Sequence, residues 1–217
     1  MERPVYVILI FILSVSVFSQ TASLETAAAK NPLIIEKGLL VGMTAAKLWG
    51  LEANALLWKP GFWAGIYGVV PIAHNLNLRP ELNFSMKGYR YSYVIDAVSQ
   101  NSRRYASLKL NYLDIPVLFQ FSVTLSELLN PDFFIGPYAS VNLKATVSNK
   151  IGNEVVDNVV STVRKFDLGA IAGFRIPVFR RLDFNFRVGF GLLPIINVKH
   201  PPEKYNLWLG GGIERNF

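Results

Sequence analysis

The chain alternates between apolar and polar residues. From Leu76 to Lys87, one set of positions holds Leu76, Leu78, Pro80, Leu82, Phe84 and Met86, and the other holds Asn77, Arg79, Glu81, Asn83, Ser85 and Lys87. A period of two puts successive side chains on opposite faces of an extended strand, and no helical apolar stripe competes with it. The pattern repeats over Leu182–Leu192, Phe133–Val147 and Phe166–Ile176, and more weakly over Lys37–Lys47, Phe62–Ile72, Leu108–Phe121 and Lys204–Phe217. The run from Leu108 changes phase near Tyr112, which predicts a bulge or a rim there.

About eight strands result, each of roughly ten residues, the length that crosses a bilayer when tilted. The connections Ala73-His74-Asn75 and Phe179-Arg180-Arg181 are very short. They alternate with longer polar ones around Leu48–Pro60, Gly88–Arg104, Ser148–Thr162 and Asn197–Glu203. Short turns at one end and long loops at the other is the pattern of an outer-membrane barrel. Ser122–Asp132 is the exception, a long connection where a short one is expected, in which Leu125, Leu128 and Leu129 fit one helical turn.

The composition of the faces decides between a soluble and a membrane barrel. A soluble barrel shows water a face rich in Lys and Glu. Here the polar faces carry isolated charges of both signs among Gly, Asn, Ser and Tyr, as a narrow lumen requires. The predicted lumen network is Arg79, Glu81, Asp114, Lys144, Asp167, Arg175, Asp183, Arg187 and Glu214, paired because unpaired buried charge is costly. Eight strands enclose only enough space for their own side chains, so no wide pore is expected. Lipid offers no hydrogen-bond partner, so the sheet must close. The predicted fold is therefore all-β, an eight-stranded antiparallel up-and-down transmembrane β-barrel. Trp49, Trp58 and Trp63 around the first long connection, and Tyr89, Tyr91 and Tyr93 at the second, are expected as interfacial anchors. Trp208, on the polar phase among glycines, is expected to plug the lumen.

Composition narrows the picture further. Hydrophobic residues make up 51%, charged residues 17%, and mean hydropathy is +0.30, which excludes intrinsic disorder. The absence of cysteine excludes a disulfide framework, a thiolate zinc site and a lipoprotein anchor. The formal charge of +7 is spread along a hydrophobic chain and suits an anionic membrane surface better than nucleic acid. Residues 1–19 read as a signal peptide, with an apolar run from Val5 to Phe18 and small residues after it. Cleavage falls between residues 19 and 29, and residues 30–217 form the barrel domain. An N-terminal anchor helix is the alternative.

In Arg79-Pro80-Glu81-Leu82-Asn83-Phe84-Ser85-Met86-Lys87-Gly88, Leu113-Asp114-Ile115-Pro116-Val117-Leu118, Ile135-Gly136-Pro137-Tyr138 and Phe166–Gly173, the chain resembles the PorT-like outer-membrane β-barrel proteins of the Bacteroidota and related phyla. The likeness spans nearly the whole mature chain. It implies a multi-pass protein of the bacterial outer membrane. The family's namesake is implicated in a secretion system, a role that fold alone does not transfer. The closing Phe217 resembles the signal by which the outer-membrane assembly machinery inserts barrels.

No catalytic, cofactor or metal site is expected. His74 and His200 fall at opposite ends, and no metal-ligand spacing, phosphate loop or dinucleotide fingerprint occurs. Gly210-Gly211-Gly212 lies in a strand and relieves crowding there. The bases Arg90, Arg103 and Arg104 on the long-loop side form a candidate rim for glycolipid phosphates such as those of lipopolysaccharide. The expected function is a non-enzymatic plugged barrel that acts through surface loops or through secretion-system or other envelope proteins. A narrow channel, a lipid-modifying barrel enzyme and a soluble ligand-holding barrel are the alternatives.

Overall fold

The computed structural model describes residues 36–50, 56–94, 103–123, 130–151, 154–196 and 204–217. The predicted signal peptide, the leucines of the 124–129 segment and His200 lie outside the described residues. Nine strand segments follow one another: β1 (Glu36–Gly50), β2 (Lys59–Ala73), β3 (Leu76–Val94), β4 (Arg103–Ser122), β5 (Asp132–Ile151), β6 (Glu154–Val159), β7 (Phe166–Phe179), β8 (Leu182–Gly191) and β9 (Lys204–Asn216).

Every pairing is antiparallel and the sheet closes. β1 pairs with β9 from Gly38↔Asn216 to Gly50↔Lys204, and β4 pairs with β5 on the far side. β5 pairs with β6 at one end and with β7 at the other, so β6 and β7 serve as one interrupted wall strand. The barrel thus has eight walls. The β2–β3 and β7–β8 turns lie at the same end as the outset of β1 and the close of β9.

The sheet is apolar outside and charged inside. Val41, Met43, Ile66, Ile135 and Phe166 are all more than half exposed, while Arg79 and Glu214 are completely buried. No water-soluble core has this arrangement. Acyl chains must meet the outer face, and closure pairs the backbone groups that lipid cannot satisfy. Near the short-turn end a row of phenyl rings crosses four strands, with centroids 5.9 Å apart for Phe121–Phe133, 6.3 Å for Phe133–Phe174 and 5.6 Å for Phe174–Phe186. At the other end Trp49 and Trp58 are 41% exposed, and Trp49 lies 5.2 Å from Tyr205. These two sets stand where aromatic girdles are expected.

Inside, bulky rings face glycines directly across the ladder: Tyr67 on Gly38, Trp63 on Gly42, Tyr138 on Gly169, Phe134 on Gly173 and Trp208 on Gly189. A Cβ at Gly189 would stand 2.3 Å from the Trp208 indole, and one at Gly42 would stand 2.7 Å from that of Trp63. The lumen is narrow enough that each ring needs a missing side chain opposite it.

Several sequence-based expectations change. β4 keeps one phase throughout: Leu108, Leu110, Tyr112, Asp114, Leu118 and Gln120 are all buried. What changes is the interior itself, which is polar along most of its length but apolar at the long-loop end. There Leu48, Leu108, Leu110, Tyr112, Ala145 and Ile195 form a cluster. The bulge lies on β5 instead, where Asn111 pairs with Lys144 and Tyr112 with Asn142, leaving Leu143 as the extra residue. The expected loops at Gly88–Arg104 and Ser148–Thr162 are largely strand, because β3, β4 and β5 run on to Val94, from Arg103 and to Ile151, and β6 begins at Glu154.

Candidate functional site: the charged interior

Most of the interior charges come from the inward phases of β3, β4, β7, β8 and β9, with Glu36 of β1, Lys59 of β2 and Asp132 of β5 added near the two ends. In the central layer Arg79 of β3 reaches across the lumen to Glu214 of β9. Its Nη2 donates to Glu214 Oε1 at 2.6 Å and its Nη1 to Oε2 at 3.0 Å. Arg79 Nε donates to Glu81 Oε1 at 2.7 Å. Arg187 of β8 donates from Nη1 to the other oxygen of Glu81 at 2.8 Å and from Nε to Asn185 at 2.9 Å. Asn83 and Asn185 donate to Glu81 and Glu214 respectively. Two guanidinium groups and two carboxylates, all buried, thus form a neutral ring of charge-assisted bonds, which Asn185 closes between Arg187 and Glu214.

Aromatic faces complete this layer. The Arg79 guanidinium lies 4.1 Å from the Tyr67 ring centroid, and that of Arg187 lies 4.3 Å from the Trp63 centroid. Phe134 lies between the two guanidinium groups, with its centroid 5.5 Å from the first and 5.3 Å from the second. Cation–π contact in a desolvated site adds to the ion pairs.

Toward the long-loop end Lys87 donates to Asp114 Oδ1 at 3.0 Å, and Ser85 and Ser140 also donate to Asp114. The Lys87 ammonium stands over Tyr112, Tyr138 and Trp208, at 4.8, 4.6 and 5.5 Å from their centroids. Asp167 accepts at Oδ2 from Asn206 at 2.8 Å and from Tyr138 at 3.3 Å. Toward the short-turn end Arg175 donates from Nε to Asp132 at 2.6 Å, binds Glu36 through Nη1 and Nη2, and lies 3.4 Å from Asp183.

Eight of the nine residues expected in the lumen therefore line it: Arg79, Glu81, Asp114, Asp167, Arg175, Asp183, Arg187 and Glu214. Lys144 does not. The extra residue at Leu143 reverses the alternation of β5, and Leu143 and Lys144 both point outward and exposed. Trp63 is not an interfacial anchor either. It is 2% exposed, on the inward phase of β2, with Gly42 opposite to make room. Tyr89 likewise packs against the interior apolar cluster. Trp208 is buried in the lumen. Lys87, Glu36 and Asp132 belong to the interior without having been expected there. Lys87 was already visible on the polar face of its strand, whereas Glu36 and Asp132 sit at strand starts where alternation has barely begun. Arg90 is exposed at the long-loop end, and the backbone of Arg103 and Arg104 pairs with Val94 and Tyr93.

A family model described as an outer membrane protein beta-barrel domain matches residues 18–197. The chain belongs to this family. It is an outer-membrane β-barrel. Among solved structures it is similar to Neisserial surface protein A at 13% identity, covering 83% of this chain and 97% of that one, with a TM-score of 0.48. It is similar to Ail, the attachment invasion locus protein of Yersinia pestis, at 11% identity, covering 84% and 98%, with a TM-score of 0.44. It is also similar to OprG from Pseudomonas aeruginosa at 11% identity, covering 84% and 95%, with a TM-score of 0.41. No curated protein matches at the sequence level.

Proposed function

We propose that this barrel is a closed, non-enzymatic outer-membrane protein that works through its long-loop end and through envelope partners. The observation that carries this reading is the central ring of Arg79, Glu81, Arg187 and Glu214, which joins β3, β8 and β9 through the middle of the lumen. An ion crossing this layer would have to displace fully paired, desolvated charges, which is costly. His74 supports the non-enzymatic part, because it stands exposed in the β2–β3 turn, away from the loop-bearing end. The PorT-like resemblance favours a protein-secretion accessory as the most specific form of the role.

Two further elements belong to the proposal. Arg90, Arg103 and Arg104 contact phosphates of outer-leaflet glycolipid, and outward-facing, exposed Phe217 engages the assembly machinery. Planar-bilayer recording of the purified chain tests the closed reading: a silent barrel is expected, and discrete conductance steps would replace it with the narrow channel. Crosslinking in intact cells tests the partner reading, with envelope or secretion proteins expected among the captured chains. Neutralising Arg90, Arg103 and Arg104 is expected to reduce lipopolysaccharide co-purification.

A further inference from the structure

At the short-turn end the charges separate by face. The carboxylates Glu36, Asp132 and Asp183 all turn inward, where Arg175 meets each of them. The bases Lys37, Arg180, Arg181 and Arg215 are all exposed. Among the described residues no exposed Asp or Glu side chain accompanies them at this end. They also share one sector of the wall. Lys37 is the second residue of β1, Arg215 is near the end of β9, and Arg180 and Arg181 form the β7–β8 turn. Backbone bonds tie these segments together: Asn216 N–H donates to the Arg181 carbonyl at 3.1 Å, and Phe217 N–H to the Lys37 carbonyl at 3.0 Å.

The strand register sets the depth of this cluster. Lys37 and Arg215 continue the outward phases of Leu39 and Ile213, which are 49% and 52% exposed on the apolar face. Two residues further along a tilted strand is roughly 5 Å deeper along the membrane normal. That step passes from acyl chains to the headgroup level of the periplasmic leaflet, which short turns face. Exposed Phe179, Phe184 and Phe217 mark the same boundary. The abundant anion at that level is lipid phosphate, which a guanidinium binds through paired donors.

We infer that Lys37, Arg180, Arg181 and Arg215 form a docking surface for anionic glycerophospholipid headgroups of the periplasmic leaflet. The lipid supplies the negative charge that the protein keeps on its inner face. A headgroup with net negative charge is preferred over a zwitterionic one, whose own amine competes for the phosphate. The surface is separate from the proposed glycolipid rim at the opposite end and does not depend on it.

The test is native mass spectrometry of the folded full chain in detergent micelles doped with phosphatidylglycerol or phosphatidylcholine. At low salt, phosphatidylglycerol adducts are expected about tenfold in excess, falling toward parity at high salt. The variant Lys37→Gln/Arg180→Gln/Arg181→Gln/Arg215→Gln is expected to lose the preference, with folding checked by heat-dependent gel mobility. Should it fail to fold, Arg180→Gln/Arg181→Gln alters only the turn and is expected to lose a substantial part of it. Lys47→Gln/Lys204→Gln, at the other end, is expected to change nothing. Equal retention of both lipids by the native chain, or an undiminished preference in a folded variant, overturns the inference. So does a variant that keeps the lipid preference but loses crosslinks to an acidic periplasmic protein.

Discussion

Arg79 and Glu214 face each other across the lumen, three strands apart around the wall, in a two-pronged ion pair with bonds of 2.6 and 3.0 Å. Neither side chain touches solvent. Each is also held by a second partner, Glu81 for Arg79 and Asn185 for Glu214. The pair works as a strut between walls that share no backbone hydrogen bond.

Removing one end of the strut should therefore cost more than removing both. Arg79→Met leaves a buried carboxylate short of its main donor and is expected to destabilise the barrel by about 3–5 kcal/mol. Arg79→Met combined with Glu214→Leu is expected to cost clearly less than the two single changes summed, because no orphan charge remains. Urea unfolding in lipid vesicles, read by gel mobility, measures all three. Strict additivity would show that the pair acts as two independent residues.

The ring-on-glycine contacts make a second prediction. Gly189→Ala sets a Cβ 2.3 Å from the Trp208 indole and is expected to destabilise by about 1–3 kcal/mol or more. In a Trp208→Leu background the same change should cost much less. Gly211 supplies the control: it lies on the same barrel with nothing within 4 Å of an added Cβ, so Gly211→Ala should fall within about 0.5 kcal/mol of the native chain.

The outer face carries a third. Ile66 lies mid-strand on β2 and is 53% exposed. In a soluble barrel Ile66→Arg would be harmless. Against acyl chains it is expected to cost about 2–4 kcal/mol, measured as a loss of folded fraction in vesicles. No loss would mean that this face does not meet lipid.

The bulge at Leu143 predicts a difference in lysine reactivity. Lys144 is exposed, and Lys87 is buried beneath three rings. A water-soluble amine-acylating reagent applied to the folded, detergent-solubilised chain is expected to label Lys144 and spare Lys87, as read by peptide mass spectrometry. Labelling of Lys87 with protection of Lys144 would place the phase change elsewhere.

The strands were legible wherever one face met lipid and the other a polar lumen, as in Leu76–Lys87 and Leu182–Leu192. Legibility failed where the surroundings changed along a strand. Near Leu108 the interior turns apolar, so an unbroken β4 reads as a change of phase. At Leu143 one extra residue reversed the faces of β5 without altering composition, and Lys144 was misplaced as a result. Trp63 read as an interfacial ring because it lies close to a long connection, and Gly42, on another strand, is what makes room for it inside.

Period-two alternation, strand length and the sparse mixed charge of the polar faces determined by themselves that this chain makes a membrane barrel, because these properties are local and each strand carries them alone. Which carboxylate meets which guanidinium was decided only by the tertiary structure. Arg79 finds Glu214, and Arg187 finds Glu81, through strand registers and a closure that bring together residues more than a hundred positions apart. The separation of acids and bases at the short-turn end was decided in the same way. A sequence records which charges exist, but only a closed sheet sets which of them face one another and which face the lipid.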